Sequence, residues 1–570
     1  MSGPGDGAMK RNYQRGKPTH SENAEGHGAR PKSERGRCTP PESESSARSE
    51  MLPAREPGGL HGASSSMVDG KQPREGVTPQ VAERAVEKSD AVVVPKKPAK
   101  TRVTPVESVE ERTTAKGKSA ARNAPPAQDG TSALKFLQRI GDRARQKPKE
   151  KWTTLLSHIR VPLLKEAYHR LRRNAAAGVD EVTWEEYGAR LDERLIDLQD
   201  RVHRGSYHPQ PVRRVHIPKG DGKTRPLGIP ALEDKIVQQA ARMVLEPIYE
   251  AEFVGFSYGF RPKRSAHDAL DALATAIGRK VNWVLDADIR SFFDTIDHGW
   301  MQKFFEHRIG DTRMVRLLMK WMHAGVMEDG KLHAVTEGTP QGGIISPLLA
   351  NIYLHYVLDL WVQRWRRKQA HGEVYIVRYA DDFVMGFQKE QDVAAMRAAL
   401  AERLALFGLE LHPEKTRVIQ FGRHAREDRA RRGLSKPETF DFLGFTHISS
   451  VTRTTGKFQL KRRTSRKKRR AKLARLTEEC KRRRHSPVAD QYAWLSQVLV
   501  GHYRYYGVPT NSRALMQFQR RVRNTWHKWL QRRSQRARWS AQERTAFDAR
   551  FPLPLPRIHH PWPMARFAAR

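Results

Sequence analysis

The stretch VYIVRYADDFVMGF, residues 374–387, sets two adjacent acids, Asp381 and Asp382, between two apolar, strand-like runs. It reads as a β-hairpin with the acids at its tip. A solvated turn tolerates acids freely, whereas a metal-holding edge requires them. Which reading holds depends on what the chain brings up beside the hairpin.

Upstream, NWVLDADI (282–289) alternates, with Trp283, Leu285, Ala287 and Ile289 on one face and Asp286 and Asp288 on the other. GWMQKFFEHRI then reads as a helix. Beyond the hairpin, DVAAMRAALAERLALFG reads as an amphipathic helix and TRVIQF as a final strand. Strand, helix, hairpin, helix, strand is the split βαβ plan, here with a helical insertion before the hairpin. In that plan the first strand lies beside the hairpin, so Asp288 can meet Asp381 although they are far apart in sequence.

Carboxylates on neighbouring strands repel unless cations lie between them. Mg²⁺ is a hard ion that takes a few carboxylate oxygens plus substrate phosphates. Two such ions about 3.5–4 Å apart activate an attacking oxygen and stabilise a leaving one. That chemistry is nucleotidyl transfer. Asp288 and Asp381 are the expected main ligands, and Asp382 supports one ion or the geometry of the tip. Asp286 and Asp294 have weaker claims. A lone pair of acids in a loop carries little weight, because such pairs arise by chance in most chains of this size.

Composition agrees with a polyanionic partner. The 570 residues carry 104 Lys plus Arg against 63 Asp plus Glu, a net charge of +41. Such an excess steers nucleic acid, the commonest polyanion, although a ribosome-associated protein or a helicase shows the same balance. The two cysteines, Cys38 and Cys480, form no CxxC pair and support no disulfide framework. No apolar run reaches membrane-spanning length and the N-terminus has no apolar signal core, so a reducing, cytoplasmic setting without membrane contact is expected.

Residues 1–130 are rich in Gly, Pro, Ser and charge and nearly free of aromatics, the composition of a disordered arm. They are either a flexible RNA-binding arm or an over-extended start, with Met51 and Met67 inside them. Order is expected from ALKFLQRI onward, with helical spacing across WTTLLSHIRVPLLKEAYHRL (152–171). The composition changes near 450, where QLKRRTSRKKRRAKLARL opens a basic, helix-prone region. The tail FPLPLPRIHHPWP holds too many prolines for a helix.

Several further blocks now bear on the hairpin. YADD matches the YxDD box of reverse transcriptases, and the order of the remaining blocks resembles the group II intron reverse transcriptase/maturase family. NAAAGVDEVTW (174–184) is similar to that family's N-terminal extension block, and VHIPKGDGKTRPLGIPALEDKIVQQA (215–240) to its fingers. GFSYGFRPKRSAHDAL follows. LDADIRSFFDTIDH (285–298) and GTPQGGIISPLLANIYL (338–354) resemble palm boxes, and LHPEKTRVIQF and FDFLGF close the palm. The resemblance runs from about 155 to 447. It weakens through 460–540, where GHYRYYGV and the HPWP tail are similar to the maturase domain.

The resemblance implies an α+β, right-hand polymerase: a ferredoxin-like split βαβ palm with fingers, then a helical thumb and maturase domain. The expected divisions are 1–130 arm, 131–447 fingers and palm, 448–545 thumb and maturase, and 546–570 tail. It implies an RNA-directed DNA polymerase using two Mg²⁺, with Mn²⁺ as a substitute. The implied partners are an intron RNA template, a DNA primer or target, and deoxynucleoside triphosphates.

Residue by residue, Lys219 and Arg225 are expected to grip the triphosphate, Lys as a point charge and Arg as a planar fork; a basic surface hairpin is the alternative. Phe293, five residues after Asp288, matches the aromatic gate that excludes a ribose 2′-OH; either Phe292 or Phe293 is expected to be core. Gln341 packs against the nucleotide while Gly342 and Gly343 allow close backbone approach. Lys415 neutralises phosphate near the metals or is simply a strand-edge lysine.

The basic run after 460 suits the thumb's grip on a duplex, although charge runs are more often solvated faces. Tyr503, Tyr505, Tyr506, Trp526 and Trp529 interleave with it, most of them expected in a helical core. His559 and His560 have no metal-ligand partners at sensible spacing, and no C-terminal endonuclease is expected. Two other readings compete: a maturase that binds RNA without polymerising, and a related polymerase recruited to phage defence or diversity generation.

Overall fold

A computed structural model describes residues 128–218, 224–328, 331–333, 338, 342–534 and 538–563, all within a unit spanning Gly76–Arg570. The expected arm at 1–130 lies almost wholly outside the described residues, as do Lys219 and Gln341.

Helices open the described chain: α1 (Gln128–Gln146), α2 (Val161–Arg170), α3 (Trp184–Gly188) and α4 (Leu191–Arg204). The expected continuous helical stretch over 152–171 is shorter, because Pro162 occupies the first turn of α2 and the chain before it forms only a 3₁₀ turn at Leu156–His158. Helix α3 is held by a capping box between Thr183 and Glu186.

Strands β1 (Val212–Pro218) and β2 (Thr224–Ile229) form a hairpin. β1 also pairs in parallel with a later strand, β4 (Val326–Glu328), which pairs with β5 (Lys331–His333). Next in the chain, α5 (Leu232–Glu250) packs against α1 and α2 and is apolar on most faces, with Ile236, Val237, Ala240, Ala241, Val244, Leu245 and Ile248 fully buried. A helix buried all round forms the centre of a core rather than a surface layer.

The central sheet holds β3 (Trp283–Asp288), β6 (Val374–Tyr379), β7 (Asp382–Phe387) and β8 (Arg417–Gln420), in the order β6-β7-β3-β8. Every neighbouring pair is antiparallel. This is the split βαβ order expected from sequence: the first strand enters between the hairpin and the last strand. Helix α6 (Ala266–Arg279), with a capping box from Ser265 and Asp268, packs on β6. The helical insertion before the hairpin is α7 (His298–Arg308), α8 (Thr312–Met322), α9 (Ser346–Leu354), a π-helical turn at His355–Asp359 and α10 (Leu360–Lys368). After the hairpin, α11 (Glu390–Ala405) buries Val393, Met396, Leu400 and Leu404 on one stripe and packs against β3 and β7.

Beyond a short helix, α12 (Ala425–Arg431), a third sheet is ordered β11-β10-β9, with β9 (Phe440–Phe442), β10 (Phe445–Val451) and β11 (Phe458–Thr464). Here the sequence expectation is corrected. QLKRRT is strand β11, and the helical region begins at Arg466, not near 448. Its basic residues, Lys461, Arg462 and Arg463, are consecutive, and the strand buries Arg462 with Thr464 on one face while Arg463 stays exposed, so charge alone misled the reading. A buried ion pair, Arg462 Nη1 to Asp271 Oδ1 at 2.7 Å, ties β11 to α6.

Helices α13 (Arg466–Arg482), α14 (Val488–Tyr506), α15 (Ser512–Gln531) and α16 (Ala541–Arg550) surround a second core of Leu495, Leu499, Leu515, Phe518 and Trp526. The tail therefore starts after Arg550, five residues later than expected, because a capping box at Ser540 and Glu543 starts α16. Through Pro563 the tail is extended and docks on α14: Tyr503 Oη donates to Pro554 O at 3.0 Å, and the His559 N–H to Gly507 O at 2.8 Å. No described helix is long and apolar enough to cross a membrane.

Candidate active site

The antiparallel register sets Asp288 directly opposite Asp382, with Asp286 opposite Val384. Directly opposed residues project to the same face of a sheet, with Cα atoms roughly 4.5–5.5 Å apart. Asp286, two residues before Asp288, shares that face. Asp381 sits between the paired strands β6 and β7 as part of a two-residue tip with Ala380. Sheet pairing thus brings Asp286 and Asp288 from one stretch of chain beside Asp382 and the hairpin tip that carries Asp381.

Their electrostatics reflect that crowding. Burial, then the charges of Asp381, Asp286 and Asp288, push the Asp382 carboxyl up to about 7. Burial also raises Asp286, opposed by its hydrogen bond from Arg417 Nη2 at 3.1 Å. Asp288 is the more open member and accepts from Lys415 Nζ at 2.6 Å. Lys415 is held there by a turn: the His412 N–H donates to Asp288 O at 2.7 Å and Thr416 N–H to His412 O at 3.0 Å. Lys415 therefore stands beside the acids.

Among the described residues, no group of three or more His, Cys, Asp or Glu is gathered as a ready metal site. The trio Asp288, Asp381 and Asp382 is accordingly not a closed protein cage. Lys415 engages Asp288, and burial favours a proton on Asp382. The donor chemistry still fits Mg²⁺, which is held by one or two carboxylates and completed by substrate phosphates and water.

Phe292 and Phe293 part ways. Ser291 adopts φ +46°, a left-handed conformation unusual for a residue with a side chain, and a 3₁₀ turn follows at Phe292–Asp294. Phe292 is buried, while Phe293 packs against it edge-on at 5.3 Å and stays partly exposed. Of the two rings, Phe292 is the core ring, and Phe293 packs against the core while partly exposed. Asp294 lies exposed in the same turn.

Gly342 has φ +120°, and a Cβ there would come within 2.2 Å of Gly228 O on β2. The close backbone approach expected of the glycines beside Gln341 is present at Gly342 and is directed at the β1–β2 hairpin. Arg225 lies on β2, its backbone opposite Ile217.

Three supports were not anticipated from sequence. Arg378, on β6 three residues before Asp381, is fully buried. Its guanidinium bonds Asp359 twice, Asn351 Oδ1 at 3.0 Å and Ala380 O at 3.0 Å, spending four of its five donors. Asp359 comes from the π-helical turn, whose Tyr356 and Val357 carbonyls are capped by Arg403. The only available signal was a charged residue inside an apolar strand.

The loop before α6 is the second support. Tyr258 N–H donates to Arg378 O at 2.8 Å, and a Cβ on Gly259 would lie 2.3 Å from Ala380 N. Only glycine lets that loop rest on the turn.

The third is the turn between β9 and β10. The Leu443 backbone N–H donates to the Asp382 carboxylate, countering its raised pKa. Leu443 O in turn accepts from Tyr505 Oη at 2.8 Å. Helix α14 thus reaches the acids through one turn of backbone.

Residues 217–447 match the family described as reverse transcriptase (RNA-dependent DNA polymerase). Protein YkfC of Escherichia coli K12 is 44% identical over 240 residues, covering 36% of this chain and 62% of that protein. Group II intron-encoded protein LtrA of Lactococcus lactis subsp. cremoris is 38% identical over 237 residues, covering 41% of this chain and 39% of LtrA. The putative COX1/OXI3 intron 1 protein of Saccharomyces cerevisiae is 28% identical over 306 residues, covering 45% of this chain and 36% of that protein. The chain thus spans less than two thirds of the length of each of these relatives. Residues 217–447 thus form a reverse transcriptase domain, and over this region the chain is similar to group II intron-encoded proteins.

Proposed function

We infer that this chain is an RNA-directed DNA polymerase that also binds the intron RNA encoding it, assisting splicing and mobility. The observation that carries the reading is the register of Asp288 against Asp382, which brings an acid from β3 to the acid-bearing tip of the hairpin. In this reading the central sheet is the palm, β1, β2 and the helices around them are the fingers, and α13–α16 are the thumb and maturase region.

Asp288 and Asp381 would hold two Mg²⁺ ions, with Asp382 in support. When bound, such ions stabilise the attacking and leaving oxygens of an in-line phosphoryl transfer. The chain's own residues do the rest. Lys219 and Arg225 hold the triphosphate, and Phe293 stands under the sugar and rejects a 2′-OH. Gln341 contacts the nucleotide from the loop that Gly342 seats on β2. Lys415 holds Asp288 in place and offsets the negative charge of phosphate oxygens close to it. The primer 3′-OH attacks the α-phosphorus, the bond to the β-phosphate oxygen breaks, and pyrophosphate leaves.

Primer extension on poly(rA)/oligo(dT) tests this. Wild type should give Mg²⁺-dependent product and Asp381→Ala none. No product from wild type, with intron RNA still bound, would favour an RNA-binding maturase without polymerase activity.

A further inference from the structure

A cavity of about 970 Å³ lies far along the chain from the carboxylates, where the ends of α13 and α15 meet α16. Lys481, Arg484, Lys528, Arg532 and Arg544 line it beside Trp529, and no described lining residue is acidic. The volume is within the range of pockets that enclose small organic molecules, roughly 300–1,000 Å³.

A basic surface alone would be unremarkable, since charged helix faces are mostly solvated. Two features set this one apart. The neighbouring cations at the end of α13 are engaged elsewhere: Arg482 and Arg483 share one acid, Glu479, each at 2.5 Å. Lys481 and Arg484, on either side of that pair, face the cavity instead. Like charges confined around one concavity repel until an anion enters. The second feature is aromatic. The Arg532 guanidinium lies 5.2 Å from the centre of the Trp529 ring, and Lys528 Nζ lies 5.8 Å from it. An indole with a guanidinium over its face is a platform on which an unpaired base stacks, against the ring or the guanidinium plane.

We propose that this cavity seats an unpaired nucleotide of a single-stranded polynucleotide, its phosphates on Lys481, Arg484 and Arg544 and its base against Trp529 and Arg532. The inference rests on the nucleic-acid reading of the C-terminal helices and deepens it. A duplex offers the same phosphates but hides its base faces, so a recess with an aromatic floor selects single strands.

Fluorescence anisotropy tests this in EDTA without deoxynucleotides, so the outcome is independent of polymerisation. Labelled oligouridylate, oligothymidylate and an RNA duplex, each about twelve nucleotides long, are titrated with full-length protein. Trp529→Leu should weaken single-strand binding about tenfold and duplex binding far less. Arg484→Gln with Arg532→Gln should do the same and flatten the salt dependence for single strands by about one to two in log–log slope. These two arginines lie at helix ends outside the core, so this variant carries the test if Trp529→Leu unfolds. A preference for oligouridylate assigns the seat to RNA, and equal affinity assigns it to any single strand; both support it. Unchanged single-strand binding, or equal losses for single strand and duplex, would overturn it.

Discussion

Arg378 and Asp359 form a fully buried bidentate pair directly behind the acid-bearing turn, with Nε 2.7 Å from Oδ1 and Nη2 2.5 Å from Oδ2. Through Nη1 the same guanidinium holds Ala380 O. Ala380 sits at φ +58°, so the turn depends on this bond for a conformation an alanine seldom adopts.

Removing one partner leaves an uncompensated buried charge, which typically costs about 3–5 kcal/mol. Arg378→Met should therefore unfold at clearly lower denaturant and lose primer extension. Pairing it with Asp359→Leu should recover much of the stability but not the activity, because the Ala380 contact stays broken. Urea unfolding and single-turnover extension on wild type and these two variants separate these effects. Equal stability of single and double variants would refute the pairing account.

The pH dependence of stability follows from Asp382. Its carboxyl sits at about 7 in the fold against an ordinary 3.8. Between those values the folded protein holds more protons than the unfolded chain, so metal-free stability should fall as pH rises through that window and level off above it. Divalent ions that bind the ionised cluster should reverse the trend. The Mg²⁺-induced rise in Tm should then be larger at pH 8 than at pH 5, by an amount on the order of a few degrees. Asp382→Asn should abolish the difference. A Mg²⁺ increment independent of pH in wild type would count against the cluster.

Phe293 should set the choice of sugar. Phe293→Val opens space where the ring stood, and incorporation of ribonucleotides relative to deoxynucleotides should rise on the order of tenfold or more. Phe292→Val, at the buried position, should instead lower stability by about 1–3 kcal/mol with little change in sugar choice. The reverse pattern in steady-state incorporation assays would exchange the roles of the two rings.

Tyr505 links α14 to the acids through Leu443. Tyr505→Phe removes one hydroxyl and leaves the ring stacked on Phe445 at 5.8 Å. Stability should drop by about 0.5–1.5 kcal/mol. The turn carrying the Leu443 N–H should loosen, so kcat should fall and more Mg²⁺ should be needed for half-maximal rate. An unchanged Mg²⁺ requirement would confine Tyr505 to packing.

Much of this protein was legible in its sequence because its signals are periodic or local. The alternation of NWVLDADI, the stripe on α11 and the apolar runs around Asp381 and Asp382 determined the strand and helix order of the central sheet, and through it the pairing of Asp288 with the hairpin. Periodicity carries that information because side-chain direction repeats every two residues in a strand and every 3.6 in a helix. The basic run at 459–464 was misread as helix because charge has no period. It took the pairing of β11 with β10, Phe445 opposite Thr464, to show it as strand.

Only the tertiary structure decided which of two adjacent phenylalanines stays partly exposed, since one left-handed residue, Ser291, turns the chain just before them. It alone revealed Arg378 with Asp359, Gly259 on Ala380, and Tyr505 on Leu443. Each of these joins residues remote in sequence through a single hydrogen bond, ion pair or close backbone contact. Such contacts leave no pattern along the chain, because their partners are chosen by packing in three dimensions rather than by spacing in one.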